Sequence, residues 1–369
     1  MKLLLLKNNL IQGLSVIERG IGESSNLPIL KSICVKAKDN EISFVSTNLE
    51  IAVKNTIQGK IIQEGEVVFP FLTFYSIVKN INAEKITVET REKKVFVITD
   101  NYEASFPLQN EKEFPIIPQI SQNSIKIKTT TEYFKDVFSR VFVATQYSEI
   151  RPEISGVYFY NKSGEYTIVA TDSFRLAEIT LDNQKISGVG DVSVIFPFKS
   201  ISEIIRIFSF QNEDLEIFLD ETQALFKTET KQVISRLIDG NFPDYKGIIN
   251  QSTDKDVSIS LSRDELIQAV KLISSFSGKA NDVIVRALQD AKVVEVYSSD
   301  SILGENNYKI STKTKSLPFS VVLNWRYFLD GLKIFKGDDV EFRITERPVL
   351  LKSPQDSGII YVVMPIGKS

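Results

Sequence analysis

Three segments of the sequence repeat one pattern at equal distances, and this repeat limits the folds that the chain can adopt. Each segment passes from a short apolar run into an amphipathic helix: VVFPFLTFYSIVKNI from Val67, SVIFPFKSISEIIRI from Ser193 and SVVLNWRYFLDGLKIF from Ser320. The predicted helices start at Pro70, Pro197 and Asn324, so each start lies 127 residues after the one before it. Proline suits the first helical position, because the N–H that it lacks would have no partner there. The spacing predicts a threefold repeat of one structural unit.

A second set of three amphipathic helices precedes these starts. Thr129 with Glu132, and Ser262 with Glu265, have the spacing of a capping box, in which a hydroxyl and a carboxylate bond each other's free backbone donors. The three helices of this second set and the three repeated helices make six predicted helices, over Lys7–Gly20, Pro70–Ala83, Thr131–Tyr147, Pro197–Ser209, Ser262–Lys279 and Asn324–Lys336.

Between the predicted helices, apolar and polar residues alternate or apolar residues run together, which is typical of strands. Examples are KVFVITD from Lys94, DLEIFLD from Asp214, KVVEVYS from Lys292 and DVEFRIT from Asp339. Polar stretches without a pattern lie near 120–126 and 250–256. The sequence therefore predicts an α+β fold of three similar domains over residues 1–120, 126–250 and 256–369, each with two helices packed on β-sheets.

The amounts of histidine and cysteine exclude several classes of function. The 369 residues include no histidine, which excludes the serine–histidine–aspartate triad and nearly all catalytic zinc sites. Cys34 is the only cysteine, which excludes intrachain disulfides and fits a reducing compartment. The apolar runs are far shorter than the roughly 20 residues that span a bilayer. We predict a soluble, cytoplasmic protein without a metal, a cofactor or a membrane partner.

An enzyme is the main alternative class, but the motifs that suggest one are incomplete. The sequence Gly367-Lys368-Ser369 resembles the end of a phosphate-binding loop, yet Val362 stands where that loop needs its first glycine. Asp172 lies in a motif-like turn without a carboxylate, base or metal-ligand partner at a useful spacing, so we expect it to stabilise the turn. We predict no catalytic residues and no intrinsic polymerase, nuclease or ATPase activity.

Charge is segregated along the chain. The net charge is −3, from 44 Lys+Arg and 47 Asp+Glu. The six predicted helices together carry +6, so the strands and loops hold −9 and the helices form basic surfaces. The cations predicted to face outward from the helices, toward a polyanion, are Lys7, Arg19, Lys79, Lys135, Arg140, Lys199, Arg206, Lys271, Lys279, Arg326, Lys333 and Lys336.

The repeat and the basic helices together favour a ring built from two chains. Twelve helices spaced roughly 10 Å apart make a circle about 38 Å across, and subtracting a helix radius of about 5 Å on each side leaves about 28 Å, enough for duplex DNA. Cations that meet phosphates without base contacts give binding that is independent of sequence and sensitive to salt. The alternative architecture is an open repeat scaffold that binds proteins and does not encircle DNA.

Five short motifs identify a family. They are NLPILKSI from Asn26, STNLEI from Ser46, ATDSFRLA from Ala170, GNFPDYKGII from Gly240 and YVVMPI from Tyr361. With these motifs in this order, the whole chain resembles the bacterial DNA polymerase III beta subunit, the sliding clamp. The resemblance implies a DNA clamp fold, a head-to-tail homodimeric ring with pseudo-sixfold symmetry, loading onto double-stranded DNA by an ATP-driven clamp loader, and a non-catalytic role in polymerase processivity.

The resemblance also implies a groove between the second and third domains for short peptides of the replicative polymerase alpha subunit, the clamp-loader delta subunit and repair polymerases. Apolar residues exposed there need partners to cover them, and a methionine suits varied peptides. Ser173 and Phe174 stand where the family usually has Gly-His, so a bulkier floor is expected. On sequence alone, YVVMPI is equally compatible with a buried last strand. The groove residues carried over are Ile154, Thr171, Phe174, Arg175, Leu176, Pro243, Ile248, Val349, Val362, Val363, Met364, Pro365 and Ile366.

The resemblance further implies two equivalent seams in the ring. Each seam joins two different surfaces, and the ring closes after two copies. The expected seam residues are Phe106 and Leu108 of the first domain with Leu272 and Ile273 of the third.

Overall fold

A computed structural model describes residues 1–23, 26–209, 211–250, 256–287, 291–316, 318–345 and 348–367. Within these ranges no helix is both long enough and apolar enough to cross a membrane. The described ranges contain seven α-helices: α1 Lys7–Ile17, α2 Phe71–Asn80, α3 Thr131–Phe142, α4 Phe198–Ile207, α5 Lys246–Ile249, α6 Arg263–Ile273 and α7 Trp325–Lys333. Six of them are the predicted helices, and α5 is a single turn that the sequence pattern did not predict.

The repeated helices start one residue later than predicted. Pro70 has extended dihedral angles (φ −61°, ψ 128°), so it precedes the helix instead of occupying its first position. Asn324 lies outside α7 in the same way, and its side chain accepts hydrogen bonds from the backbone N–H groups of Arg326 (3.0 Å) and Tyr327 (3.4 Å). These bonds satisfy donors that the first helical turn leaves free.

The sequence predicts the capping residue of α6 correctly and that of α3 wrongly. Ser262 accepts the backbone N–H of Glu265 at 3.5 Å, as the capping box predicts. Thr129 was expected to open α3, but the cap is Thr130, whose Oγ1 accepts the backbone N–H of Tyr133 at 3.2 Å. Thr129 lies inside a strand, where it is paired with Leu215.

The chain divides into two compact units. Unit 1 comprises Met1–Phe134, Ile186–Val189 and Ser200–Leu237, and unit 2 comprises Lys135–Lys185, Gly190–Lys199 and Ile238–Ser369. The predicted central domain, 126–250, therefore contributes segments to both units. The three predicted domain ranges stay a prediction.

Unit 1 contains two antiparallel sheets, with strands numbered in chain order. The five-stranded sheet has the order β5 (Gly59–Gln63), β1 (Lys2–Leu6), β7 (Lys85–Arg91), β8 (Lys94–Ile98) and β9 (Glu103–Pro107). The nine-stranded sheet has the order β14 (Ser187–Gly188), β10 (Ile125–Thr130), β16 (Asp214–Leu219), β17 (Gln223–Lys227), β18 (Lys231–Arg236), β4 (Ile51–Thr56), β3 (Glu41–Thr47), β2 (Ser32–Lys38) and β6 (Gly65–Pro70).

Unit 2 also contains two antiparallel sheets. The eight-stranded sheet has the order β15 (Val192–Pro197), β11 (Gly156–Lys162), β12 (Glu165–Thr171), β13 (Arg175–Thr180), β26 (Ile359–Val363), β25 (Val349–Lys352), β24 (Asp339–Ile344) and β19 (Val257–Ser262). The four-stranded sheet has the order β22 (Gly304–Ser316), β21 (Ala291–Asp300), β20 (Asp282–Ala287) and β23 (Phe319–Asn324). The four example strands of the sequence prediction are β8, β16, β21 and β24, and the predicted α+β class is confirmed.

Helix α7 lies unusually close to the last strand of the eight-stranded sheet. A Cβ atom on Gly331 would lie 2.3 Å from the ring of Tyr361, so the helix can approach only because this position is glycine. The Tyr361 ring is fully buried, and its hydroxyl donates a hydrogen bond to the Tyr327 carbonyl at 2.8 Å. This contact fixes α7 beside the end of β26.

Candidate functional site

A tight turn between β12 and β13 projects Phe174 into solvent. The Thr171 hydroxyl donates to the Arg175 carbonyl at 2.7 Å, and the Asp172 carboxylate accepts the backbone N–H groups of Phe174 and Arg175 at 3.0 Å each. Ser173 has a left-handed backbone (φ 76°). The turn is thus held by its own side chains, as predicted for Asp172, while the Phe174 side chain is 59% exposed.

Arg175 fastens this turn to helix α7. Its Nε donates to Asp172 at 2.9 Å, and its Nη1 donates to Asp330 at 2.7 Å. The guanidinium also lies 4.3 Å from the centre of the Tyr327 ring, which stacks against Phe174 at 6.5 Å. The Arg175 side chain is only 11% exposed and its charge is already paired. Arg175 therefore stabilises the site by joining the turn to α7.

The last strand places the C-terminal segment beside the turn. In β26, Val363 pairs with Arg175 of β13 and with Val349 of β25. The chain then follows the turn, because the Met364 N–H donates to the Phe174 carbonyl at 2.8 Å. The Ile366 N–H donates to the Val322 carbonyl, also at 2.8 Å. The alternative of a buried last strand is correct as far as Val363, and exposure begins at Met364.

A compact apolar cluster forms the floor next to this segment. Its buried members are Val169, Leu176, Tyr245, Ile249, Leu350 and Val362, with Tyr158, Tyr160, Phe242 and Ile360 packed against it. Phe242 stacks face to face on Tyr158 at 4.7 Å. Helix α5 contributes Ile249, and it also carries the exposed Ile248. The segment GNFPDYKGII thus folds onto the same sheet as the C-terminal strand.

The predicted groove residues divide into a floor and a rim. The expectation of an exposed apolar patch is wrong for six of them, which are buried. Ile154 ends the short 3-10 turn Pro152–Ile154. The other five lie in paired strands: Thr171, Leu176, Val349, Val362 and Val363. The half-buried residues are Arg175, Pro243, Met364 and Pro365. The exposed residues are Phe174 at 59%, Ile248 at 39% and Ile366 at 39%. A ligand at this surface would contact the rim first.

A charged and hydroxylated group at the cluster edge was missed by the sequence reasoning. The Lys246 ammonium lies 2.7 Å from the Glu178 carboxylate, which is buried at 5% exposure. The Tyr160 and Tyr245 hydroxyls lie 3.2 Å apart. Burial, together with the neighbouring Glu178 and Tyr160, raises the pKa of Tyr245 far above its usual range, so the hydroxyl stays protonated. Lys246 within GNFPDYKGII was the available signal for an acidic partner.

Most of the twelve predicted helix cations are exposed, but the side chains of two of them form hydrogen bonds within the protein. Arg140 is 12% exposed, donates from Nε to the Ile334 carbonyl at 2.6 Å and pairs with Asp356. Lys7 is half-buried and donates to the Ile81 carbonyl. The prediction that these two face outward is therefore wrong. Arg19 is half-buried, and the exposed cations are Lys79, Lys135, Lys199, Arg206, Lys271, Lys279, Arg326, Lys333 and Lys336.

The four predicted seam residues also differ in exposure. Leu272 is 51% exposed and Leu108 is half-buried. Phe106 is 7% exposed because its ring packs on Phe69 (5.4 Å) and Phe74 (6.3 Å) within unit 1. Ile273 is 1% exposed. Phe106 and Ile273 are core residues in the single chain, so Leu272 and Leu108 are the ones that a second chain could reach.

The described residues contain no group of three or more histidine, cysteine, aspartate or glutamate side chains that could hold a metal ion. The possible phosphate-binding sequence at the C-terminus ends in Lys368 and Ser369, which lie outside the described residues. The site has an apolar rim and floor with the ion pairs Arg175–Asp172 and Lys246–Glu178, a composition suited to binding.

Comparisons with known proteins give one consistent result. Models of the DNA polymerase III beta subunit family match in succession: the N-terminal domain at residues 1–118, the central domain at 128–244 and the C-terminal domain at 251–367. The chain is 28% identical over 382 residues to the beta sliding clamp of Bacillus subtilis, covering 99% of both chains, and 27% identical over 361 residues to that of Staphylococcus aureus, covering 94% of both. The crystal structure of the Bacillus subtilis DNA polymerase sliding clamp superposes with a TM-score of 0.93 at 26% identity over the full length of both chains.

Proposed function

Because the chain belongs to the DNA polymerase III beta subunit family, we propose that it is a sliding clamp, the processivity factor of the bacterial replicative DNA polymerase. The observation that carries this conclusion is the succession of all three family domains along the chain, together with a fold similar over its full length to a solved sliding clamp. The clamp fold predicted from the motifs is confirmed.

We further propose that two copies close head to tail around double-stranded DNA. The exposed cations on the helices would lie toward the phosphates, and Arg140 and Lys7 would not take part because both are committed to internal bonds. Phosphate contacts carry no sequence information, so the ring can slide. At the seam, Leu272 and Leu108 would meet across two chains, with Phe106 and Ile273 supporting them from the core.

The rim around Phe174 is the proposed docking site for short peptides of partner proteins. These partners are the replicative polymerase alpha subunit, the clamp-loader delta subunit, repair polymerases and other proteins with clamp-binding peptides. Phe174, Ile248 and Ile366 offer exposed apolar surface, and Met364 adds a flexible side chain that suits varied peptides. The buried Leu176 and Val362 hold the rim in place. Phe174 supplies the most exposed apolar surface of the three.

The proposed role is non-catalytic and needs no cofactor. Binding and topology are sufficient for tethering a polymerase, and any turnover belongs to the assembled polymerase. We propose that the protein works in the cytoplasm at the bacterial nucleoid, as the reducing compartment expected from the lone cysteine suggests.

Retention on circular DNA tests this function. The protein, loaded by a bacterial clamp loader with ATP onto a nicked circular plasmid, should remain bound through gel filtration at about 0.5 M salt, where charge contacts are strongly screened. Cutting the plasmid once with a restriction enzyme should release it within minutes, and a plasmid that lacks the restriction site is the matched control. An open scaffold would not respond to the cut. Equal retention on circular and linear DNA contradicts the proposal.

A further inference from the structure

The turn that holds Phe174 in unit 2 has a second copy in unit 1. The Thr47 hydroxyl donates to the Ile51 carbonyl at 3.0 Å, and the Asn48 side chain accepts the backbone N–H groups of Glu50 (3.0 Å) and Ile51 (2.8 Å). Leu49 has the same left-handed φ, 76°, as its counterpart in unit 2. The Thr47–Ile51 turn therefore repeats these three hydrogen bonds of the Thr171–Arg175 turn, without the bond from the Arg175 side chain to Asp172, which Ile51 cannot make.

The strand beside the turn is repeated as well. β18 pairs with β4 so that Ile234 faces Ala52, just as β26 pairs with β13 so that Val362 faces Leu176. The Arg236 N–H donates to the Glu50 carbonyl at 3.0 Å, in the place of the Met364 bond. The β13–β26 pair of the proposed peptide groove therefore has a counterpart in the nine-stranded sheet, the β4–β18 pair.

A cavity lies at this second position. It has a volume of about 220 Å³, and its lining includes Val45, Ala52, Ile117 and Ile234. The cavity exists beside the small Ala52, where the equivalent groove has the larger Leu176. A volume below the roughly 300 Å³ of small-molecule sites fits one or two apolar side chains.

The face around the cavity is basic, unlike the chain as a whole. It is the face opposite helix α1, which packs on the other side through the hydrogen bond from Ser46 Oγ to the Ile17 carbonyl. At its strand positions this face carries seven basic side chains, Lys36, Lys38, Lys54, Lys126, Lys128, Lys227 and Arg236. The acidic side chains on the same strand positions are Glu41, Glu66, Asp214 and Glu216. Three of them pair with cations of the same face: Glu41 with Lys54 (2.8 Å), Glu66 with Lys36 (2.7 Å) and Glu216 with Lys126 (2.6 Å). Seven basic against four acidic side chains still leave an excess of three positive charges, and an acidic ligand at Lys54 would share that cation with Glu41.

The apolar and charged residues form two neighbouring rows, the apolar row across four strands and the charged row across five. In register, Phe218, Leu225, Ile234 and Ala52 make an apolar row. The adjacent row runs through Lys128, Glu216, Lys227, Gln232 and Lys54. In the unit 2 groove the position of Lys54 is taken by Glu178, so the charge at this point is reversed.

We propose that this face of the nine-stranded sheet is a second docking cleft, for an extended segment of a partner protein that places an aliphatic side chain in the cavity and acidic residues over Lys54 and Lys227. The inference rests on the proposed function only for the choice of a peptide as the ligand. The ligand's charge follows from the basic row, and its apolar anchor follows from the cavity. The two clefts would then select peptides of different charge.

Two fluorescein-labelled synthetic peptides test the proposal by fluorescence anisotropy with the full chain at low salt. One has the core Leu-Leu-Glu-Glu-Glu, and the other has lysines in place of the glutamates. The double substitution Lys54→Glu with Lys227→Glu should weaken binding of the acidic peptide by about tenfold, since exposed charge pairs contribute a few tenths of a kcal/mol each and reversal also adds repulsion. Lys60→Glu with Lys85→Glu makes the same charge change at exposed positions elsewhere in unit 1 and should leave the affinity unchanged.

Two further variants locate the bound peptide. Ala52→Leu introduces the residue of the equivalent groove, fills the cavity and should weaken the acidic peptide without changing surface charge. Phe174→Ala alters the unit 2 rim and should leave acidic-peptide binding unchanged. The proposal is overturned if both peptides bind equally, if neither shows saturable binding up to about 1 mM, or if only Phe174→Ala reduces affinity. Retention on circular DNA is measured separately, so a failure of the clamp function is distinguishable from a failure of the second cleft.

Discussion

Replacing Arg175 with methionine should destabilise unit 2 by about 3 kcal/mol, because the change leaves the Asp172 carboxylate buried without a counter-ion. The Asp172 side chain is 1% exposed, and removing one partner of a buried pair costs roughly 3–5 kcal/mol. We use the lower end of this energy range because Asp172 keeps two backbone N–H donors at 3.0 Å. Methionine retains most of the arginine volume, so little of the effect comes from lost packing.

Two further variants test whether the unpaired Asp172 carboxylate causes the loss of stability. Asp330→Asn should cost at most about 1 kcal/mol, because Asp330 is 38% exposed and water screens its pair with Arg175. The double variant Asp172→Asn with Arg175→Met should recover about 2 kcal/mol relative to the single methionine variant, since no buried charge is then left unpaired.

Urea unfolding followed by tryptophan fluorescence measures these differences. Trp325 is the only tryptophan and is the first residue of α7, the helix that Arg175 holds, so its signal reports locally on this part of unit 2. Circular dichroism on the same samples shows whether the rest of the chain unfolds with it. If Arg175→Met lies within about 1 kcal/mol of the unchanged protein, or if Asp330→Asn costs as much, the buried pair does not hold the turn.

Three other predictions follow from the structure. Charge reversal at Lys199 with Arg206, both exposed on α4, should lower retention on circular DNA at low salt and leave the dimer intact by analytical ultracentrifugation; unchanged retention would count against cations lining the channel. Deleting Met364–Ser369 removes Met364, Pro365 and Ile366 from the rim but leaves Phe174, Ile248 and the buried β26, so partner-peptide affinity should vanish in anisotropy titrations while the melting temperature changes little; surviving affinity contradicts a role for this segment in docking. Burial raises the pKa of Cys34 to about 12, so below about pH 9 the buried thiol stays neutral in the native protein and contributes its full share of stability, which is lost as the pH rises toward 12. Ellman's reagent at pH 8 should therefore label Cys34 only after unfolding, and fast labelling of the native protein contradicts this.

The fold could be predicted from the sequence because its signals are local. The equal spacing of Pro70, Pro197 and Asn324 located three helices, and alternating residues located strands such as β16. The error of one residue at the helix starts also has a local cause. Pro70 fits the extended residue before a helix as well as the first helical residue, and only the dihedral angles distinguish the two.

The exposure of site residues could not be predicted in the same way, because it depends on distant contacts. Arg140 looks like any cation on an amphipathic helix, yet its partners Ile334 and Asp356 lie 194 and 216 residues away in the sequence. The family resemblance implied Val349 and Val363 as groove residues, but their mutual pairing in β25 and β26 buries both. The resemblance gave the candidate site residues, and tertiary packing determines which of their side chains remain accessible.

The long sheets also have a mechanical consequence. β4 and β18 share five residue pairs in register, as do β13 and β26, although the partner strands in each case lie far apart in the sequence. A force that separates such strands sideways loads several backbone hydrogen bonds at once, so these junctions resist rupture. Each chain should therefore keep these two junctions intact under a pulling force that already disrupts contacts made by side chains alone.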